Sequence, residues 1–168
     1  FATRLVDAGR QLLARVNAIR EEPGGADRLF VADMNGPLYI LDKKTKQFTK
    51  YLDFDGRDDR PGLFHRLFIT TGYGNGLNGF HFDPDYPRNG VFYTLHMEDA
   101  TLTADAAPRS GAIAGLDLSG YTMTPAIPVH AGTGKIEREV ILIEWKDRNP
   151  ADAKFEGTAR ELLRLQHP

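Results

Sequence analysis

The stretch Gly76-Leu77-Asn78-Gly79-Phe80-His81-Phe82-Asp83-Pro84-Asp85-Tyr86-Pro87-Arg88-Asn89-Gly90-Val91-Phe92-Tyr93 decides the fold. Pro84 and Pro87 cannot donate to a strand ladder, Asp83 and Asp85 can bond their own backbone, and Asn89-Gly90 tolerates positive φ. One strand therefore ends near Phe82 and another begins at Val91. The segment reads as strand, Asp-Pro-Asp loop, strand.

Upstream, four further strands are expected over Ala14 to Arg20, Arg28 to Asp33, Pro37 to Asp42 and Phe48 to Phe54. Glu22-Pro23-Gly24-Gly25, Met34-Asn35-Gly36 and Lys43 to Gln47 join them with turn chemistry. Leu29-Phe30-Val31-Ala32 and Leu38-Tyr39-Ile40-Leu41 are apolar on both faces, as strands covered on both sides must be. Leu5, Leu12, Leu13, Val16 and Ile19 also approximate a helical stripe, so a helix competes with the first strand.

Downstream, a second set is expected over Leu77 to Phe82, Val91 to Met97, Glu139 to Trp145 and Ala159 to Leu165. Residues 99–136, rich in Ala, Thr, Gly and Pro without a sustained period, split it as an irregular excursion or small hairpins. The chain reads as all-β. Two consecutive four-stranded antiparallel units, each needing cover on both faces, are the repeat signature of a β-propeller. Blade one spans about residues 14–54 and blade two 77–165, within one partial domain covering 1–168. Closed propellers have about four to eight blades, so two leave apolar sheet faces for further blades or another chain to cover. Self-association through those faces is the other way to cover them.

Composition bounds function from the outside. The 168 residues are 41% apolar and 26% charged with a net charge of −2, which is ordinary for a packed domain and offers no basic stripe for nucleic acid. No apolar run reaches the ~18 residues of a membrane helix. The absence of cysteine excludes disulfides, thiolate catalysis and cysteine-ligated metal. Ser110 and Ser119 lack a nucleophile-elbow context.

The pattern Gly76-Leu77-Asn78-Gly79-Phe80-x-Phe82-x-Pro84-Asp85-Tyr86-x-x-Asn89-Gly90-x-Phe92-Tyr93 resembles the signature of the glucose/sorbosone dehydrogenase family. Those proteins are soluble sugar dehydrogenases dependent on pyrroloquinoline quinone (PQQ), and their relatives. Arg28 to Gly36, Ile143-Glu144-Trp145 and Arg160-Glu161-Leu162-Leu163-Arg164 are similar to the same family in the same order, so the resemblance covers roughly residues 14–168. It implies the N-terminal part of a six-bladed propeller in a periplasmic or secreted protein. The implied cofactors are PQQ and calcium, and a histidine base in a His-x-Gly-Gly type motif follows the Glu-Leu-Leu-Arg strand. No such motif occurs in this chain, and His167-Pro168 does not match it, so the expectation is a segment of a sugar or aldehyde-type dehydrogenase that is inactive alone. A propeller that binds carbohydrate or protein without redox chemistry is the alternative.

Glucose-oxidising members carry a glutamine at the position of Gly74. Asn75 and Asn78 flank it and are candidates for amide hydrogen bonds to a sugar or cofactor, while a plain flexible turn over Gly72 to Gly76 is the competing reading. Asp53, Asp55, Asp58 and Asp59 gather around Gly56, as a calcium site requires, but the spacing is not that of an EF-hand and Arg57 offsets charge. Of the five histidines, His65, His81, His96, His130 and His167, no two stand at metal-ligand spacing. His81 and His96 are expected on strands as satisfied or surface residues, and Tyr39, Tyr93 and Trp145 as packing aromatics.

Overall fold

Period-two alternation builds two sheets in the computed structural model, which describes residues 15–25, 27–72, 74–129 and 134–168. The first consists of β1 (Val16–Glu21), β2 (Arg28–Asp33), β3 (Pro37–Asp42) and β4 (Phe48–Asp53), antiparallel and hydrogen-bonded in chain order. Val16 to Ile19 is therefore strand and not helix; Leu5, Leu12, Leu13 and Ala14 lie outside the described residues. Phe54, expected at the end of the fourth strand, has already left it.

The second sheet starts with β5 (Leu77–Phe82), passes through a single helical turn α1 (Tyr86–Asn89) and returns as β6 (Val91–Asp99). The Asp-Pro-Asp loop is thus a turn with one coil of helix. Asp83 Oδ1 accepts from Asp85 N at 2.8 Å and from Asn89 Nδ2 at 2.9 Å, and Gly90 closes the coil at φ 67°. A Cβ on Gly90 would stand 1.9 Å from the Asp147 carbonyl, so this position needs glycine for both backbone and space.

The excursion after β6 is more ordered than its composition suggests. It contributes β7 (Gly115–Asp117) and β8 (Ala126–Pro128) before the chain re-enters the sheet as β9 (Arg138–Asp147) and β10 (Glu156–His167). The second sheet therefore has six strands where four were expected, in the order β5-β6-β9-β10 with β7 and β8 both on the far edge of β10. They are not hairpins. β7 pairs parallel with Glu156 to Thr158 and β8 pairs parallel with Arg164 to Gln166, over the long crossovers that parallel pairing demands. The physical reason is edge cover: a twelve-residue edge strand would otherwise present a row of unpaired N–H and C=O groups.

The sheets meet through one core. Ala18, Phe30, Ala32, Leu38, Ile40 and Tyr51 face it from the first, and Phe80, Phe92, Ile141, Ile143, Trp145 and Ala159 from the second. Phe30 stacks on Phe80 with ring centroids 5.5 Å apart, and Tyr51 meets Phe155 edge-on at 5.7 Å. Full burial of such rings contributes about 2 to 3 kcal/mol each. Trp145, fully buried, donates its indole N–H to Thr94 Oγ1 at 2.7 Å, so its polar edge is satisfied. Arg28 ties the sheets at one end, donating to the carbonyls of Asp152 and Pro150 while Glu22 neutralises it at 2.6 Å.

Candidate functional site

The rim where β1 meets β5 carries the sequence-predicted loop. Gly72, Gly74 and Gly76 all have positive φ, at 110°, 79° and 63°, a backbone conformation that side chains rarely permit. Gly76 is the tightest: a Cβ there would stand 1.6 Å from the Met34 carbonyl. Gly74 is open, with nothing within 4 Å of the place a Cβ would occupy. Its glycine answers to backbone conformation, not to space.

Asn75 is buried and its amide is used inside the loop. Its Nδ2 donates to Gly72 O at 2.9 Å, and its Oδ1 accepts from Arg15 Nη1 at 3.3 Å and Thr70 N at 3.5 Å. Asn78 sits half-buried on β5, where its carbonyl accepts from Asn17 Nδ2 at 2.9 Å; the Leu77 carbonyl takes the other N–H of the same amide at 3.1 Å. Of the three residues singled out from sequence, Gly74 and Asn75 shape the rim and Asn78 anchors β1 to β5 through its backbone.

Sequence reasoning missed Arg15. Its guanidinium donates to Thr70 O at 3.0 Å, to Asn75 Oδ1 and, in a short bond, to Gly72 O. All three acceptors are neutral. With Val16, Asn17, Met34 and Gly72 it lines a cavity of about 650 Å³, a size that holds a small molecule. The signal was present, since an arginine directly before a strand whose other charges face outward has to find partners, but the helical alternative for Leu5 to Ile19 hid it.

The acidic turn does not gather its carboxylates. Asp55 is held by Arg57 at 2.9 Å and by Arg60 in a shorter contact, Asp53 pairs with Lys50 at 2.8 Å, and the Asp58 side chain points to solvent. Burial pushes the Arg57 guanidinium below its ordinary value, and the charge of Asp58 only partly opposes it. Among the described residues no three His, Asp or Glu side chains converge as a metal site.

His81 is exposed on β5 and His130 lies outside the described residues. His96 is fully buried against Phe54 and Phe64, its Nε2 3.3 Å from Glu98 Oε1 and its Nδ1 without a partner among the described residues. It borders a buried ionic cluster. Arg164 donates to Glu139 Oε2 at 2.7 Å and to both oxygens of Glu161 at 3.0 and 2.9 Å, while Arg66 reaches Glu139 at 2.9 Å and Glu98 at 3.6 Å. Tyr121 and Thr124 from the excursion complete Glu161 at 2.8 Å each. Burial raises the Glu139 and Glu161 carboxyls, but the bonds they receive outweigh it and hold both below the ordinary value. Burial likewise opposes the charge on Arg164, and Glu161 and Glu98 more than restore it, so its guanidinium lies above its ordinary value. Alternation along Glu139-x-Ile141-x-Ile143-x-Trp145 did place Glu139 on the core face, which was the available clue.

These features define an all-β protein in which an antiparallel four-stranded sheet packs against a six-stranded one. No protein-family model matches the chain, and no curated protein matches it.

Proposed function

We propose that the two sheets are consecutive blades of a β-propeller of the glucose/sorbosone dehydrogenase type, and that the chain is the N-terminal segment of a PQQ-dependent sugar or aldehyde-type dehydrogenase in the periplasm or outside the cell. The observation that carries the reading is the packing of two up-and-down meanders by their faces, with the leading strands β1 and β5 side by side and tied by Asn17. Blades of a propeller are arranged in this way. A second support is the outer face of the second sheet, where Leu95, Leu142 and Leu163 form one cross-strand row and Met97, Val140, Leu165 and Ile127 another. Ile127 is 50% exposed, and such a face calls for a further blade, from the same or another chain.

Calcium is not favoured at the acidic turn, because Asp53 and Asp55 are engaged by cations and Asp58, turned to solvent, lies 3.9 Å from Arg60. The ligands for both cofactors, and the base, then belong to other blades, and the 168-residue chain has no redox activity by itself. The test is dye reduction with added PQQ and calcium. The reading expects none from this chain and a rate from a gene product that carries a His-x-Gly-Gly motif beyond Pro168; absence of that motif and of any cofactor-dependent rate refutes it. The left-handed backbone at Gly74, which replaces the glutamine of glucose oxidisers, favours a second reading, a non-catalytic propeller that binds carbohydrate or protein. Sugar binding with no PQQ-dependent rate in the longer product selects it.

A further inference from the structure

Among the described residues the Arg15 guanidinium donates only to neutral oxygens. Three of the five N–H groups of a guanidinium are used, both on Nη1 and one on Nη2, which leaves Nε–H and the second Nη2–H. Nε–H and the Nη2–H on its side share one edge of a guanidinium, the geometry that grips a carboxylate with two parallel hydrogen bonds. Among the described residues no carboxylate lies within ion-pair distance of this guanidinium; Asp33, the acidic side chain beside it, turns its Oδ1 to the backbone N–H of Arg15 and Asn35 at 3.0 and 2.9 Å. Arg60 and Arg138 differ, because their Nε atoms are sealed in the interior without a partner among the described residues and that of Arg15 is not.

The surroundings add shape. Thr70, Gly72 and Asn75 hold the guanidinium in place before any ligand arrives, so little side-chain entropy remains to be lost on binding. Asn17 has used both N–H groups on the carbonyls of Leu77 and Asn78, which leaves its Oδ1 as an acceptor for a ligand hydroxyl. Val16, 41% exposed, and Met34 give an apolar wall to the same cavity of about 650 Å³.

We propose that this cavity binds a small hydroxylated carboxylate, a sugar acid in chemical class, with its carboxylate on Arg15 and a hydroxyl on Asn17, in preference to a neutral sugar. The proposal narrows the ligand class of the rim described under the dehydrogenase reading and rests on that reading only for chemistry after binding. Binding is therefore measured with no cofactor and no turnover, so that its failure and the failure of dye reduction are separate results.

The experiment is calorimetric and NMR titration of the 168-residue chain with glucuronate, glucose and sulfate. Glucuronate is expected to bind and to shift the amides of residues 15–17 and 70–76, with glucose weaker by roughly tenfold or more, the scale of a charge-assisted bidentate pair. Arg15→Gln should remove that preference, and Arg15→Lys should not restore it, because a point charge lacks the fork. Since Arg15 also braces the 70–75 loop, Val16→Glu is the second variant: it places a competing carboxylate in the mouth without touching the Arg15 bonds, and Val16→Gln is its control. Loss with Glu and retention with Gln supports the proposal. Equal binding of glucose and glucuronate, equal competition by sulfate, no binding of glucuronate, or indifference to Val16→Glu each overturns it.

Discussion

Arg164→Met isolates the buried ionic cluster. The side chain is 5% exposed and makes three hydrogen bonds of 2.7 to 3.0 Å to Glu139 and Glu161, with Glu98 at 3.6 Å. Each charge-assisted bond is worth about 1.5 to 3 kcal/mol, but among the described residues the substitution also leaves buried Glu161 with no cation, only the hydroxyls of Tyr121 and Thr124 and the Thr124 N–H, and Glu139 and Glu98 with Arg66. Breaking one partner of a buried pair costs about 3 to 5 kcal/mol, a large part of the ~5 to 15 kcal/mol that a domain has. With a urea slope of about 2 kcal/mol/M, the midpoint should fall by roughly 1.5 to 2.5 M. The single tryptophan, Trp145, lies in the same core and reports the transition by fluorescence. The loss must also depend on pH. In the wild type, Glu139 and Glu161 are held below the ordinary 4.5, so their contribution is present above that value and is lost as pH falls through the lower folded value. Without Arg164 they lose the group that held them down and take up protons more readily in the folded state, so the gap between variant and wild type should narrow on acidification. A midpoint shift under about 0.5 M, or a gap that widens toward low pH, refutes the account.

Other consequences are open to measurement. Gly76→Ala drives a Cβ into the Met34 carbonyl and should cost more than about 3 kcal/mol, whereas Gly74→Ala, with open space and only its positive φ to strain, should cost about 1 to 2 kcal/mol; paired urea curves check the ordering. Wild-type stability should decline below pH 4.5 and the decline should be shallower in Glu161→Gln, as pH-dependent thermal unfolding will show. Leu142→Lys on the outer face of the second sheet should change stability by within about 0.5 kcal/mol and reduce self-association in sedimentation velocity; a large stability loss with unchanged association would mean that the chain itself already covers this face. Tyr121→Phe should loosen the excursion and speed its proteolysis before global unfolding, because Tyr121 reaches Glu161 at 2.8 Å from that segment; equal cleavage rates would contradict this.

The eight long strands were legible because side chains announce them. Phe30 and Leu38 mark central positions by apolar character on both faces, and Asp83 to Gly90 marks a reversal by residues that cannot continue a ladder. β7 and β8 were not legible, since each is three residues long and is recruited by backbone groups on the edge of β10, which have no side-chain signature. The acidic turn misled in a similar way: sequence places Asp53, Asp55 and Asp58 together, but a turn points successive side chains apart, and Arg60, five positions on, reaches Asp55. Arg15 was hidden by its place at the boundary of the helix-or-strand ambiguity, and its partners lie 55 to 60 residues away.

The ionic cluster itself depends on one irregularity. Glu161 and Arg164 are three residues apart, and in a regular strand such residues face opposite sides of the sheet. The register of β9 against β10 slips between Glu161 and Leu163, so Leu162 is extra, and Glu161 and Arg164 both turn to the core, opposite Ile143 and Ile141. The same slip sends Leu163 and Leu165 to the outer face, where they join Leu142 and Val140. A β-bulge therefore sorts this strand into an ionic inner side and an apolar outer side. The slip between Leu77 and Gly79 in β5 does the equivalent at the rim: Leu77 and Phe80 both face the core, and the carbonyls of Leu77 and Asn78 are left free for Asn17. Asn17 lines the Arg15 cavity, so the geometry of that cavity is set by how the sheets meet. A ligand that tightens one should stabilise the other by mass action.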